Sequence, residues 1–321
     1  MLAHQISPSP KRASIVIEPQ RVYPDAMAVE MAIKEAAKAA NLSDPSRQIN
    51  DLIRQAHYDR FLCRVFSDGE DSEWVLKGGS GMLARVPNAR RTLDADLYLD
   101  GYDKDHALAD LRRLAAIDLC DFFRFVYREH HVILGDDLQP YADGYRVIFD
   151  AYLGMKSLDP IQVDLSAHIG ATTNLTVAEP ANRLSLPRLT SFAYRLYPIE
   201  RQIADKVCAS LAMYGGHPSS REKDLIDLVV IAVTQTVAAD DAFVALHNEA
   251  KLRRLTLPQS FTVPAGWGKG YSKGIRNTPA ASYGIAEALA LMRVFIDPLI
   301  IGVAEGAVWS PDHLAWVATQ K

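Results

Sequence analysis

The stretch Leu76-Lys77-Gly78-Gly79-Ser80, resumed after a basic loop as Arg91-Thr92-Leu93-Asp94-Ala95-Asp96-Leu97, decides how this chain folds. An apolar run, Trp74-Val75-Leu76, leads into the glycines, and Leu97-Tyr98-Leu99 follows the acids. That order predicts a strand, a tight turn into a short helix, and a second strand. Side chains alternate along an extended strand, so Asp94 and Asp96 project together while Ala95 and Leu97 face a core. Further on, Ile161-Gln162-Val163-Asp164-Leu165 reads as another strand, with Gln162, Asp164 and Ser166 on one face.

Two carboxylates held this close repel each other unless a cation offsets them. Hard oxygen ligands suit Mg²⁺ or Mn²⁺, and Mg²⁺ commonly bridges one or two carboxylates to substrate phosphates. If the third strand lies beside the first, Asp164 joins Asp94 and Asp96 around one or two metals. Such a site activates an attacking hydroxyl and neutralises a transferred phosphoryl group. Gly78 and Gly79 let the backbone approach phosphates, and Ser80 opens the following helix with a hydroxyl and an N–H. An Asp-x-Asp pair alone is common in turns, and glycines punctuate loops everywhere. It is the joint order of turn, paired acids and third acid that predicts metal-dependent nucleotidyl transfer from an NTP.

Two later segments add charge to apolar helices. Ile199, Ile203, Val207 and Leu211 form a stripe with Lys206 at its edge. That lysine reads either as a snorkelling side chain with its head in water or as a cation reaching NTP phosphates. Asp224 and Asp227 sit in a helix that is apolar nearly all round, and buried carboxylates need partners. Lys206, Arg221 and Lys223 compete for that place.

Together these segments resemble the AbiEii nucleotidyltransferase toxins, a family that includes the mycobacterial MenT toxins. Leu76 to Ser80 with Arg91 to Leu97 is similar to the family's first motif. Ile203-Ala204-Asp205-Lys206-Val207-Cys208-Ala209 resembles its Asp-Lys helix motif, and Arg221-Glu222-Lys223-Asp224-Leu225-Ile226-Asp227-Leu228 its basic-x-Lys-Asp-Leu motif. The resemblance runs from about Trp74 to the C-terminus. It departs at Ala95, where a bulkier aliphatic is usual, which leaves the carboxylates untouched. It implies an α+β fold with a polymerase-β-like nucleotidyltransferase core, a mixed sheet with helices, and a C-terminal helical domain. It also implies that Lys77, Asp94, Asp96, Lys206 and Asp224 are functional positions, that the acceptor is an RNA, the tRNA 3′ end, and that a separately encoded antitoxin neutralises the protein. On this reading Asp94, Asp96 and Asp164 bind metal, Asp164 alternatively acting as base. Lys77, Gly79, Ser80 and Lys206 handle the nucleotide, and Asp224 helps orient it. Rival readings are nucleotide transfer to a small molecule or a protein side chain, and a non-catalytic binding module that kept the fold.

The chain has 321 residues, and 49% hydrophobic with 23% charged residues is ordinary for a soluble globular protein. No apolar run is long enough to suggest a membrane span, and the start lacks the apolar centre of a secretory signal. Three scattered cysteines predict reduced thiols and a cytoplasmic location. The net charge of −4 argues against a uniformly basic nucleic-acid binder. Between Lys251 and Arg276, however, cations occur without a single acid, interleaved with Phe261, Trp267 and Tyr271. This segment reads either as an RNA contact through Lys269, Lys273 and Arg276, with bases stacked on the aromatics, or as a solvated connection with its aromatics packed inward.

Four regions follow: a flexible arm over 1–24, a helical region over 25–72, the nucleotidyltransferase core over 73–190 and the helical domain over 191–321. Periodicity predicts helices near 26–40, 46–66, 104–128, 198–214, 221–237, 240–252, 281–296 and 310–319, and strands near 132–134, 145–153 and 161–167, with turns at 135–137 and 156–160.

Overall fold

The structure, a computed structural model, describes residues 23–92, 94–133, 144–168 and 174–318. The expected flexible arm and the turn at 135–137 fall outside these residues, apart from Tyr23 and Pro24. The chain begins with helices α1 (Ala26–Ser43) and α2 (Ile49–Val65). Asp25 caps α1 by accepting a hydrogen bond from the Ala28 N–H at 2.8 Å, satisfying one of the free N–H groups at a helix start. Strand β1 (Trp74–Lys77) runs directly into α3 (Gly78–Arg85), followed by β2 (Ala95–Asp100) and α4 (Lys104–Ala115). Then come β3 (Phe123–Ile133), β4 (Gly144–Leu153), the two-residue β5 (Lys156–Ser157), β6 (Ile161–His168), β7 (Thr176–Ala178) and β8 (Tyr194–Leu196).

These strands form one mixed sheet in the order β3-β4-β6-β2-β1-β8-β7, with β5 pairing to β4. β2 is central, antiparallel to β1 and parallel to β6. The helix expected over 104–128 stops at Ala115, and its second half is β3. Phe123 and Phe125 are buried while Arg124 and Val126 are exposed, a period of two that no helix can satisfy. Cys120 and Phe122 adopt positive φ between the two elements, which ends any helical run.

The second half comprises α5 (Ile199–Leu211), a short ribbon of β9 (Met213–Tyr214) and β10 (His217–Pro218), α6 (Glu222–Thr234), β11 (Val237–Ala238), α7 (Ala239–Leu252), α8 (Lys269–Gly274) and α9 (Ile285–Ile301). A helix expected at 310–319 is instead part of a hairpin of β12 (Ala307–Ser310) and β13 (Ala315–Ala318), paired to β11. Pro311 and the positive φ of Leu314 turn the chain there, and Trp309 is driven wholly into the core against Phe295 and Trp316.

Burial divides into two apolar cores. One lies between the sheet and helices α1, α2 and α4, built around Phe61, Trp74, Leu97, Phe149 and Val163. The other is enclosed by α5, α6, α7, α9 and the hairpin, and α3 reaches it through Met82. β8 lies past residue 190, where the sequence places the start of the helical half, yet it completes the sheet.

One buried ion cluster ties the first core to α2. Arg64, fully buried, donates from Nη2 to Asp121 Oδ1 at 2.7 Å and to the Phe123 carbonyl at 3.0 Å. Arg60 donates from Nε to Asp121 Oδ2 at 2.7 Å and from Nη1 to the Thr190 carbonyl at 2.7 Å. Burial pushes the Asp121 carboxyl up, but Arg64 and Arg60 outweigh it and hold it below its ordinary value. Asp121→Ala would orphan two buried guanidiniums, and urea unfolding should show a loss of about 3–5 kcal/mol. A loss below about 1 kcal/mol would show that the cluster does not anchor α2.

Candidate active site

The sheet's register lines up four charges. Lys77 on β1 is paired with Asp96 on β2, Asp96 with Asp164 on β6, and Asp164 with Arg146 on β4. Residues in register on neighbouring strands project from the same face, so the row reads cation, acid, acid, cation. Asp94 lies just before β2, and the Thr92 hydroxyl donates to its Oδ1 at 2.5 Å.

The turn after β1 is built against the central acid. Gly78 has φ +57°, and a Cβ there would stand 2.2 Å from Asp96 Oδ2. Only glycine lets the backbone come this near. The Gly79 N–H, in the turn whose backbone is expected to approach phosphates, donates to Asp96 Oδ2 at 3.0 Å. The Ser80 hydroxyl donates to the Lys77 carbonyl at 3.1 Å and accepts from the Asp96 N–H at 2.9 Å. α5 buttresses the turn through Gln202 Nε2, which donates to the Gly78 carbonyl at 2.9 Å. Burial pushes the Asp96 carboxyl up to about 6, and Asp94 and Asp164 add to the shift while Lys77 and Lys206 oppose it.

Behind this row lies an ion network joining the loop before β2 to helices α5 and α6. Arg90 grips Asp227 with both arms, Nε to Oδ1 at 2.8 Å and Nη2 to Oδ2 at 2.9 Å. Lys206 Nζ is 2.5 Å from Asp227 Oδ2 and 3.5 Å from Asp224 Oδ1, and Arg221 bonds Asp224. Burial alone would lower the Lys206 ammonium, but Asp227 and Asp224 hold it above its ordinary value. The snorkelling expectation fails, because this ammonium is buried and paired, with Asp227 nearer than Asp224. Lys223 is exposed and acts on Asp224 through its field, after Lys206 and Arg221. Three cations meet two carboxylates, leaving a surplus positive charge within electrostatic reach of Asp96.

Asp94 and Asp96 offer hard oxygens whose mutual repulsion a divalent cation would relieve, so the pair fits Mg²⁺ or Mn²⁺. Asp164 does not complete a set of three in this conformation. Arg146 holds both of its oxygens at 2.8 Å, and among the described residues no group of three acidic, His or Cys side chains is spaced to hold a metal. The sequence reading missed Arg146 and Arg90. The expected strand over 145–153 carries Arg146, but only knowledge of strand pairing would have placed it beside Asp164.

A small recess of about 30 Å³ is lined by Asp94, Ser80 and α2 residues. Asp51, Gln55 and Arg91 are shared with a cleft of about 700 Å³, whose far wall includes Lys223 and Lys273. Lys269, Lys273 and Arg276 are all exposed on or next to α8. Of the aromatics interleaved with them, two are not available for stacking and the third, Trp267, is half-buried. Phe261 and Tyr271 are fully buried, and Trp267 Nε1 donates to the Ser219 carbonyl at 2.7 Å.

A protein-family profile described as nucleotidyl transferase AbiEii toxin, type IV TA system, matches residues 60–281. Among solved structures, MenT4, a nucleotidyltransferase toxin from Mycobacterium tuberculosis H37Rv, is similar with a TM-score of 0.51 and 13% identity, over 86% of this chain and 89% of that one. JHP933 from Helicobacter pylori is similar with a TM-score of 0.42 and 15% identity, over 79% of this chain and 95% of that one. No curated protein sequence matches the chain.

The raised Asp96 pKa has a thermodynamic consequence. The folded state keeps this proton up to about pH 6, whereas an unfolded Asp releases it near 3.8, so the group costs stability progressively as pH rises through that window. The cost at pH 8 is of order 2–3 kcal/mol for a shift of this size. Asp96→Asn should therefore melt higher than wild type in EDTA at pH 8, with most of the gain gone at pH 4. An equal difference at both pH values would refute strain at this carboxylate.

Proposed function

This chain belongs to the AbiEii family of nucleotidyltransferase toxins of type IV toxin–antitoxin systems, and we propose that it transfers a nucleotide from an NTP to an RNA hydroxyl, the tRNA 3′ end. Its fold is the mixed α+β sheet of a polymerase-β-like nucleotidyltransferase with a helical C-terminal half. Family membership implies an antitoxin partner and a nucleotide substrate, and among the described residues no helix is long and apolar enough to cross a membrane. We place the reaction in the cytoplasm, where NTPs and tRNA are available and reduced thiols such as Cys63 and Cys208 persist.

The observation that carries the reading is the strained pair Asp94 and Asp96 at the head of a central strand, faced by a network with surplus positive charge. Asp94 and Asp96 would hold Mg²⁺ or Mn²⁺, which when bound supplies neutralisation of the triphosphate and activation of the attacking hydroxyl. Ser80 and Gly79 keep Asp96 in place through the bonds described above, and Lys77 faces it across the strand pair and opposes its charge. Lys206, fixed between Asp224 and Asp227, contributes its field to the same end of the sheet, where negative phosphate gathers. Asp164 is available to accept the proton of the acceptor hydroxyl once Arg146 releases it, and the freed guanidinium is then suited to a phosphate oxygen. Support for RNA as acceptor comes from the family and from the acid-free run of exposed cations on and beside α8.

Incubation with Mg²⁺, each labelled NTP and total tRNA should yield labelled tRNA, and Asp94→Asn should lower the rate by about 100-fold or more with the fold intact. Full transfer by that variant, or in excess EDTA, would falsify the mechanism. Reversing Lys269, Lys273 and Arg276 to Glu should weaken tRNA binding and reduce the slope of log K against log salt by roughly 0.7–0.9 for each phosphate no longer neutralised. Identical slopes in the two proteins would remove α8 from the RNA surface. Labelling of a small molecule or of protein in place of tRNA would favour the corresponding rival acceptor.

A further inference from the structure

The family match starts at residue 60, yet one wall of the site is built from residues ahead of it. Asp51, Arg54, Gln55 and Tyr58 are spaced by three, one and three residues, which places them on a single face of α2. All four line the recess that Asp94, Thr92 and Ser80 also line, and Asp51 and Gln55 continue into the 700 Å³ cleft. This face is fixed in position. Asp51 pairs with Arg91 at 2.6 Å, on the loop leading to the acids. The Tyr58 hydroxyl accepts from the Gln162 N–H at 3.4 Å, two residues from Asp164, and is bonded to Arg54.

The two walls of the cleft differ in chemistry. Lys223 and Lys273 on the far side are ammonium point charges, suited to phosphate. The α2 face presents the Asp51 carboxylate and the Gln55 carboxamide to both the cleft and the recess, and the Arg54 guanidinium and Tyr58 phenol to the recess alone, a mixture of donors and acceptors in fixed directions. That mixture matches the edge of a nucleobase. Arg54 Nε, moreover, is buried with no hydrogen-bond acceptor among the described residues. A buried donor without a partner is costly, and a base nitrogen or carbonyl oxygen would satisfy it. Asp94 and this face line the same recess, so a nucleotide held at Asp94 would have the face within reach.

We propose that the Asp51, Arg54, Gln55 and Tyr58 face of α2 selects the incoming nucleotide by hydrogen-bonding its base edge, so that preference is set outside the family-matched segment. The proposal rests on the nucleotidyl-transfer reading, and two separate measurements tell their failures apart. The first is affinity for each of the four NTPs with Mg²⁺, by calorimetry, for wild type, Gln55→Ala, Arg54→Met and the nearly isosteric Gln55→Glu. The second is kcat/KM for each NTP with tRNA as acceptor. Wild type should discriminate among the NTPs. Each substitution should change the ratio between favoured and disfavoured NTPs by about ten- to hundredfold, with Gln55→Glu altering the ranking because it exchanges two donors for an acceptor. Changed affinity ratios without any transfer by wild type would sink the transferase reading and sustain this one. Equal wild-type affinities for all four NTPs would overturn the proposal. So would ratios unchanged in all three variants, or a raised KM for tRNA with nucleotide ranking intact.

Discussion

Two like charges at the head of a central strand are the constraint around which the rest is arranged. Asp94 and Asp96 oppose each other, and burial adds to the cost of ionising Asp96. What holds Asp96 in place is backbone as much as side chain. Gly78 brings the start of α3 against its carboxylate, and the Gly79 N–H bonds it. The strand-turn-helix unit therefore works as a clamp on an acid, and the glycines are required by that contact before any ligand is considered.

The same acids explain why so many cations collect behind the sheet. Lys77 and Arg146 flank the row in register, and Lys206 and Arg90 approach from the side of α5 and the loop before β2. Arg90 and Lys206 share Asp227, so the loop that leads into β2 is fastened to helices α5 and α6. A buried network of this kind seldom raises stability over an apolar replacement, but breaking one member is expensive. Its evident product here is a fixed relation between the carboxylate pair and a positive field.

The cleft has two chemically different walls. Ammonium groups lie on the wall formed by α6 and α8, and directional hydrogen-bonding groups on the wall formed by α2. Arg146, paired to Asp164 at the end of the row, keeps the third acid neutralised in this conformation. On the proposed reading the metal would be held by Asp94 and Asp96, a number of carboxylates that suits Mg²⁺ when substrate phosphates supply further ligands.

Local pattern was enough to identify β1, the glycine turn and the paired acids, because alternation and glycine punctuation are properties of neighbouring residues. It also placed α2, α5, α6, α7 and α9 within a few residues, and showed that Asp224 and Asp227 need partners. It failed where tertiary packing overrides local propensity. Phe123 and Phe125 belong to a strand because the sheet has an edge to extend, and Trp309 and Trp316 to a hairpin because a second core needs closing. Nor could pattern say that Lys206 lies nearer Asp227 than Asp224, that Arg90 reaches Asp227, or that Arg146 occupies Asp164. Those partners are separated by 21, 137 and 18 positions in the chain. The sequence by itself determined which residues could carry charge on which face; which charges meet was decided by strand register and helix packing, since a contact between distant residues depends on the whole intervening chain folding back to the same place.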